Sequence, residues 1–156
     1  ENGLRSGTEN MPGIAGFAKA VEIGMKDLRK NIKHMEKLRD KLIKNLHGKL
    51  NGPRGSRRLC NNVNMSFPGL EGEALVAKLS NKGVCISTGS ACATRTSKPS
   101  NVLKALGLQD REIAESVRLS LSRLNSENDI DAAIEKTKEA VGELEKIYNT
   151  SRILDG

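Results

Sequence analysis

The 156-residue chain is long enough for one domain with a hydrophobic core, and it carries 37% hydrophobic and 29% charged residues with a formal net charge of +7. No apolar run approaches the roughly 20 residues of a membrane span, and nothing at Glu1 resembles a secretion signal, so the sequence reads as soluble and begins as if cut from something longer. The Lys and Arg residues are spread out, and Phe17, Phe67 and Tyr148 are the aromatic residues, so the stacking platforms of a single-strand nucleic-acid binder are missing and direct nucleic-acid binding is not expected.

Residues 11–50 place Ile14, Phe17, Val21, Met25, Leu28, Ile32, Met35, Leu38, Leu42 and Leu46 at steps of three and four, which predicts one long amphipathic helix with Gly24 as a site for a bend. At 1.5 Å per residue it would reach roughly 50 Å, more than a compact domain needs, and so reads as a spine joining two bodies. The breaker cluster Asn51, Gly52, Pro53, Arg54, Gly55 and Ser56 is the clearest boundary in the chain.

Beyond it, alternation of Val63, Met65 and Phe67 predicts a strand ended by Pro68 and Gly69. Residues 71–82 predict a helix packed through Leu75, Val76 and Leu79 and stopped by Gly83, and residues 84–88 a short strand. Residues 89–97 are small and polar, without apolar period, and read as a loop. A short helix opening at Pro99 and closing at Gly107 follows, then a strand with Val117, Leu119 and Leu121 on one side and Arg118 on the other. Ser126 and Asp129 have helix N-cap spacing, and the helix they open carries Ile130, Ala133, Ile134, Val141, Leu144 and Ile147 as its stripe. The tail beyond Tyr148 has little to hold it. The predicted organisation is a spine helix and its lead-in over residues 1–50, a small α/β or α+β domain over 51–149 with helices covering a short sheet, and a tail over 150–156.

Three cysteines, Cys60, Cys85 and Cys92, form neither an even-numbered framework nor a C-x-x-C pair, which fits a reducing, cytoplasmic setting, and with His34 and His47 they give no metal-ligand spacing. Cys85, between Val84 and Ile86, reads as a buried structural thiol, and Cys60 is assigned no role. Cys92 lies among Gly, Ser and Thr, where it is either an incidental loop residue or a reactive thiol whose thiolate Arg95 and Lys98 would favour. Arg118, on the polar side of an apolar strand, is either a bidentate clamp for a carboxylate or an edge charge in a salt bridge. Gly3, Arg5, Ser6, Gly7 and Thr8 precede a helix, an arrangement suited to an anion and equally explained by ordinary capping.

Four segments in order, residues 3–8, 61–67, 87–92 and 117–121, make the sequence resemble the C-terminal part of the cysteine desulfurases, over nearly the whole chain to about residue 148. The seven-residue step from Cys92 to Pro99 looks like the long-loop group that supplies sulfur for iron–sulfur clusters and tRNA thiolation. The resemblance implies the small C-terminal domain of a fold-type I pyridoxal-phosphate enzyme, a homodimer that converts L-cysteine to L-alanine and passes sulfur to an iron–sulfur scaffold or another acceptor protein. On it, Cys92 matches the catalytic nucleophile, Arg118 the substrate-carboxylate arginine, and Thr8 a residue reaching the cofactor phosphate of the partner subunit. The family's Schiff-base lysine, ring-stacking histidine and pyridine-nitrogen acid match nothing here, so this chain is expected to be inactive by itself. A selenocysteine lyase would share the scaffold and the arginine. A sulfur-relay or scaffold-docking module without elimination chemistry is the non-enzymatic alternative.

Overall fold

In a computed structural model the described residues are 3, 6–88 and 99–154, with side chains as far as residue 149. The chain runs α1 (Met11–Asn45), β1 (Lys49–Leu50), a 3-10 turn (Gly55–Arg57), β2 (Asn62–Ser66), α2 (Gly72–Asn81), β3 (Ser87–Thr88), α3 (Asn101–Ala105), α4 (Asp110–Ala114), β4 (Ser116–Ser120) and α5 (Glu127–Leu154). The strands form one sheet in the order β1-β2-β4-β3, with every neighbouring pair antiparallel. Helices segregated from an antiparallel sheet make this an α+β layer, as the predicted element order implied.

The sheet has two chemically different faces, because side chains alternate along a strand. Val63 and Met65 of β2 and Val117 and Leu119 of β4 face the helices. They form the core with Phe67, Leu121, Leu38 and Leu42 of α1, Leu75 and Leu79 of α2, and Ile130, Ile134 and Leu144 of α5. Lysines and acids at the edges tie the helices together. Lys37 and Lys41 of α1 reach Glu127 and Asp131 of α5, and Lys78 and Lys82 of α2 reach Glu143 and Glu139. These pairs are largely exposed and each contributes little on its own.

The long helix forms as expected and passes through Gly24 without interruption, but it ends at Asn45 rather than running to residue 50. Leu46 turns extended, with ψ 135°, and Lys49 and Leu50 pair with Ser66 and Met65. The ladder offers those last residues inter-strand hydrogen bonds that a frayed helix end lacks. Only the second half of α1 enters the core. Met11, Ile14, Phe17, Val21, Met25 and Leu28 are all exposed.

Three further expectations shift. Residues 84–86 are not strand: Gly83 takes φ +78°, its N–H donates to Ser80 O and the Val84 N–H to Leu79 O, so the stop of α2 consumes these amides and pairing begins at Ser87. The N-cap of α3 is Ser100 rather than Pro99, its Oγ accepting from Leu103 N–H, while Gly107 closes the helix with φ +84° as predicted. In α5 Ile147 is exposed, and Thr137 and Ala140 are buried on the stripe instead. The α5 cap itself is reciprocal: Asp129 N–H donates to Ser126 Oγ and Ser126 N–H to Asp129 Oδ2.

Hydrogen bonds lower the Asp129 pKa, from Ser126 foremost, and Lys49 does the same for Glu112. A carboxyl depressed in the folded state stabilises the fold above its unfolded pKa and loses that contribution as pH falls through the folded value. Urea midpoints should therefore decline on the acid side of the ordinary carboxylate range, and decline less in Asp129→Asn. Gly72 opens α2 so close to the junction of α4 and β4 that an added Cβ would lie 2.6 Å from Ser116 O and 2.9 Å from Ala114 O. Gly72→Ala should accordingly cost about 1–3 kcal/mol in urea unfolding, overriding the roughly 1 kcal/mol that alanine gains in a helix.

Candidate functional site

The second face of the sheet is polar and mostly covered. Asn64 stands opposite Arg118 across the β2–β4 ladder, Ser66 stands opposite Ser116, and on the other side of β4 Ser87 pairs with Arg118. Asn64, Ser66 and Ser116 are buried and Arg118 is half-buried. Buried polar atoms must be hydrogen-bonded, and here α4 supplies partners. Ser66 Oγ donates to Glu112 O at 3.0 Å and Ser116 Oγ to Ile113 O at 2.8 Å. From the end of β1, Asn51 Nδ2 donates to Asn64 Oδ1 at 2.7 Å and Ser66 Oγ at 2.9 Å.

Over this polar row lies a cleft of about 320 Å³, whose lining includes Arg57, Arg58 and Arg118, Asn51 and Asn64, Ser100, and an apolar wall of Leu59, Val102, Leu103 and Leu106. Among the described residues its lining holds three guanidinium groups and no carboxylate, a composition that favours an anion. Arg58 is committed to framing it. Its Nε donates to Pro53 O, Nη1 to Asn62 O, and Nη2 to Asn51 O. Burial, then repulsion from Arg39 and Arg54, lowers its pKa. Arg39, only 2% exposed, reaches out of α1 to donate from Nη1 to Arg58 O and Leu59 O, pinning the 58–59 backbone beside the cleft.

Of the residues singled out from sequence, the structure places Arg118 at the centre of this polar row. Cys92, with Arg95 and Lys98, lies outside the described residues. Thr8 lies in the lead-in to α1, exposed, and does not line the Arg118 cleft. The helix N-terminus beyond it is already used, since Gly13 N–H donates to Asn10 Oδ1 at 3.1 Å, which is the capping reading of this segment. Cys85 is exposed rather than buried, because its neighbours Val84 and Ile86 take the core-facing positions and leave the thiol on the outer side. Cys60 is half-buried, and no group of three or more metal-ligating side chains is found among the described residues. Sequence reasoning missed Asn51, read only as a breaker, and Arg58. Asn64 was legible, since the alternation that buries Val63 and Met65 turns it to Arg118's face.

Comparison with known proteins sets this site in a family. The model of the family described as aminotransferase class-V matches residues 1–133. The chain belongs to that family. Among curated class-V relatives, it is 45% identical over 141 residues to a protein named cysteine desulfurase IscS from Clostridium botulinum, covering 86% of this chain and 36% of that protein. It is 43% identical over 148 residues to cysteine desulfurase IscS of Methanosarcina thermophila, covering 92% and 36%. A solved NifS-like protein superposes with TM-score 0.78 at 36% identity over 91% of this chain and 36% of that one, and a NifS-like protein from Rickettsia africae with TM-score 0.71 at 29% identity over 88% and 36%. The chain therefore spans about a third of the length of the relatives it matches.

Native-state alkylation checks the thiol assignments. In a Cys92→Ala background, iodoacetamide should label Cys85 faster than Cys60, with peptide mass spectrometry as the readout.

Proposed function

We propose that this chain is the C-terminal part of a pyridoxal-phosphate-dependent cysteine desulfurase, that Cys92 accepts the sulfur, and that Arg118 binds the substrate carboxylate. The observation that carries the reading is the position of Arg118, a guanidinium at the centre of a covered polar face, in a cleft whose described lining residues include no acid. A planar fork of fixed donors in such a place suits a carboxylate held bidentately.

The described ends of the Cys92 segment converge on the same site. Thr88 pairs with Val117, next to Arg118, and Ser100 lines the Arg118 cleft. Three residues lie between Thr88 and Cys92, four steps of chain and so a tether of at most about 14 Å. In the proposed reaction the Cys92 sulfur bonds to the sulfur of L-cysteine as the carbon–sulfur bond breaks. The carbon fragment is released as L-alanine with a proton in place of sulfur, and Cys92 is left as a persulfide for an acceptor protein. The balance is L-cysteine plus thiol giving L-alanine plus persulfide, with no external oxidant or reductant. Residues 51–149 act as the small domain that presents Arg118 and Cys92, and the functional unit is a homodimer. Thr8 would contact the phosphate of the cofactor in the partner subunit, and pyridoxal phosphate, when bound, would supply the electron sink for breaking the carbon–sulfur bond.

The deciding measurement is alanine release from L-cysteine with pyridoxal phosphate. The complete protein should release alanine and the 156-residue chain none. Cys92→Ala in the complete protein should lose turnover by at least about a hundredfold, as loss of a covalent nucleophile demands, while still binding L-cysteine. Arg118→Ala should lower kcat/KM by roughly tenfold to a hundredfold, the scale of a lost charge-assisted hydrogen-bond pair. A complete protein that releases no alanine sinks the reading.

A further inference from the structure

Asn51 is 3% exposed and fixed from both sides of its backbone. Its N–H donates to Asn64 O at 2.9 Å, and its carbonyl accepts from Arg58 Nη2. Its side-chain amide uses both Nδ2 hydrogens, on Asn64 Oδ1 and Ser66 Oγ. What remains is Asn51 Oδ1, buried and without a hydrogen-bond partner among the described residues. An acceptor sealed from water and left unsatisfied is costly, and such an atom calls for an explanation.

Of the guanidinium groups at the cleft, that of Arg118 stands across the ladder from Asn64, to which Asn51 is bonded. Asn51 and Arg118 line the same cleft, and residues directly opposite on a ladder, as Asn64 and Arg118 are, have a spacing of about 4.5–5.5 Å between Cβ atoms. A guanidinium has five N–H donors in one plane, and a carboxylate held bidentately uses two of them. An acceptor at the rim of that plane fixes its rotation.

We propose that Asn51 is the positioning residue of Arg118: when a carboxylate enters the cleft, Asn51 Oδ1 accepts an N–H of the guanidinium and holds the fork in the orientation that binds it. This deepens the carboxylate role proposed for Arg118 and rests on it. Asn51 touches no reacting atom. Its effect is on substrate affinity, exerted through Arg118.

A double-mutant cycle in the complete protein tests the coupling. Asn51→Ala should raise the KM for L-cysteine roughly tenfold with kcat changed less than about twofold, the signature of lost ground-state binding. The same substitution in an Arg118→Ala background should change KM by less than about twofold. Asn51→Ser, which retains a donor toward Asn64, should behave like Asn51→Ala and guards against a variant that fails to fold. An equal KM factor in both backgrounds, or a loss confined to kcat, overturns the proposal. A readout without turnover uses the ¹⁵N-labelled 156-residue chain titrated with acetate. The Arg118 side-chain N–H signals should gain hydrogen-exchange protection in the unsubstituted chain and not in Asn51→Ala. Protection that survives Asn51→Ala, or none in the unsubstituted chain, overturns the role of Asn51. Protection that depends on Asn51, in a protein whose complete form releases no alanine, upholds the role of Asn51 and removes the desulfurase reading alone.

Discussion

The five-residue pairing of β2 with β4 is the constraint on which the other parts of the structure depend. Asn62–Ser66 lies against Ser116–Ser120 in one antiparallel register, and that register sends Val63, Met65, Val117 and Leu119 to one side and Asn64, Ser66, Ser116 and Arg118 to the other. A slip of one residue would exchange the faces, burying Arg118 in the hydrocarbon core and presenting valine and leucine to the cleft. Core and site are therefore specified by the same set of hydrogen bonds, and burial of the apolar face against α1, α2 and α5 holds the polar face in place.

The polar face is costly to bury, and the structure offsets that cost locally. Ser66 and Ser116 donate to carbonyls at the end of α4, Asn51 closes the gap between Asn64 and Ser66, and Arg58 and Arg39 satisfy carbonyls of the 51–62 segment. Asn51 Oδ1 is buried there without a hydrogen-bond partner among the described residues. Ion pairs on the outer surfaces of the helices contribute little by comparison, being exposed to solvent and salt.

Helix α1 has a divided character. Its C-terminal part supplies Leu38, Leu42 and the buried Arg39, and is as much a core element as α2 or α5. Its N-terminal half presents Phe17, 74% exposed, with Met11, Met25 and other apolar side chains to solvent. An apolar stripe of this length is more than an isolated soluble domain ordinarily leaves uncovered. The chain covers about a third of its class-V relatives.

By itself the sequence determined the elements whose signal is local and repeated: the three- and four-residue steps of α1 and α5, the alternation of β2 and β4, the Ser126 and Asp129 cap, and the glycines closing α2 and α3. It also put Arg118 on the polar side of its strand, because alternation needs no knowledge of partners. Tertiary structure alone decided which residues meet. The end of α1 at Asn45 depends on Lys49 and Leu50 finding β2, a partner about sixteen residues away. The exposure of Cys85 depends on Val84 and Ile86 being the residues that meet the core. The single-turn α4 is too short to show a period, yet its carbonyls satisfy the serines beneath Arg118. Asn51, a turn former in the sequence, became part of the site because a hydrogen bond to Asn64 joins positions that no local pattern relates.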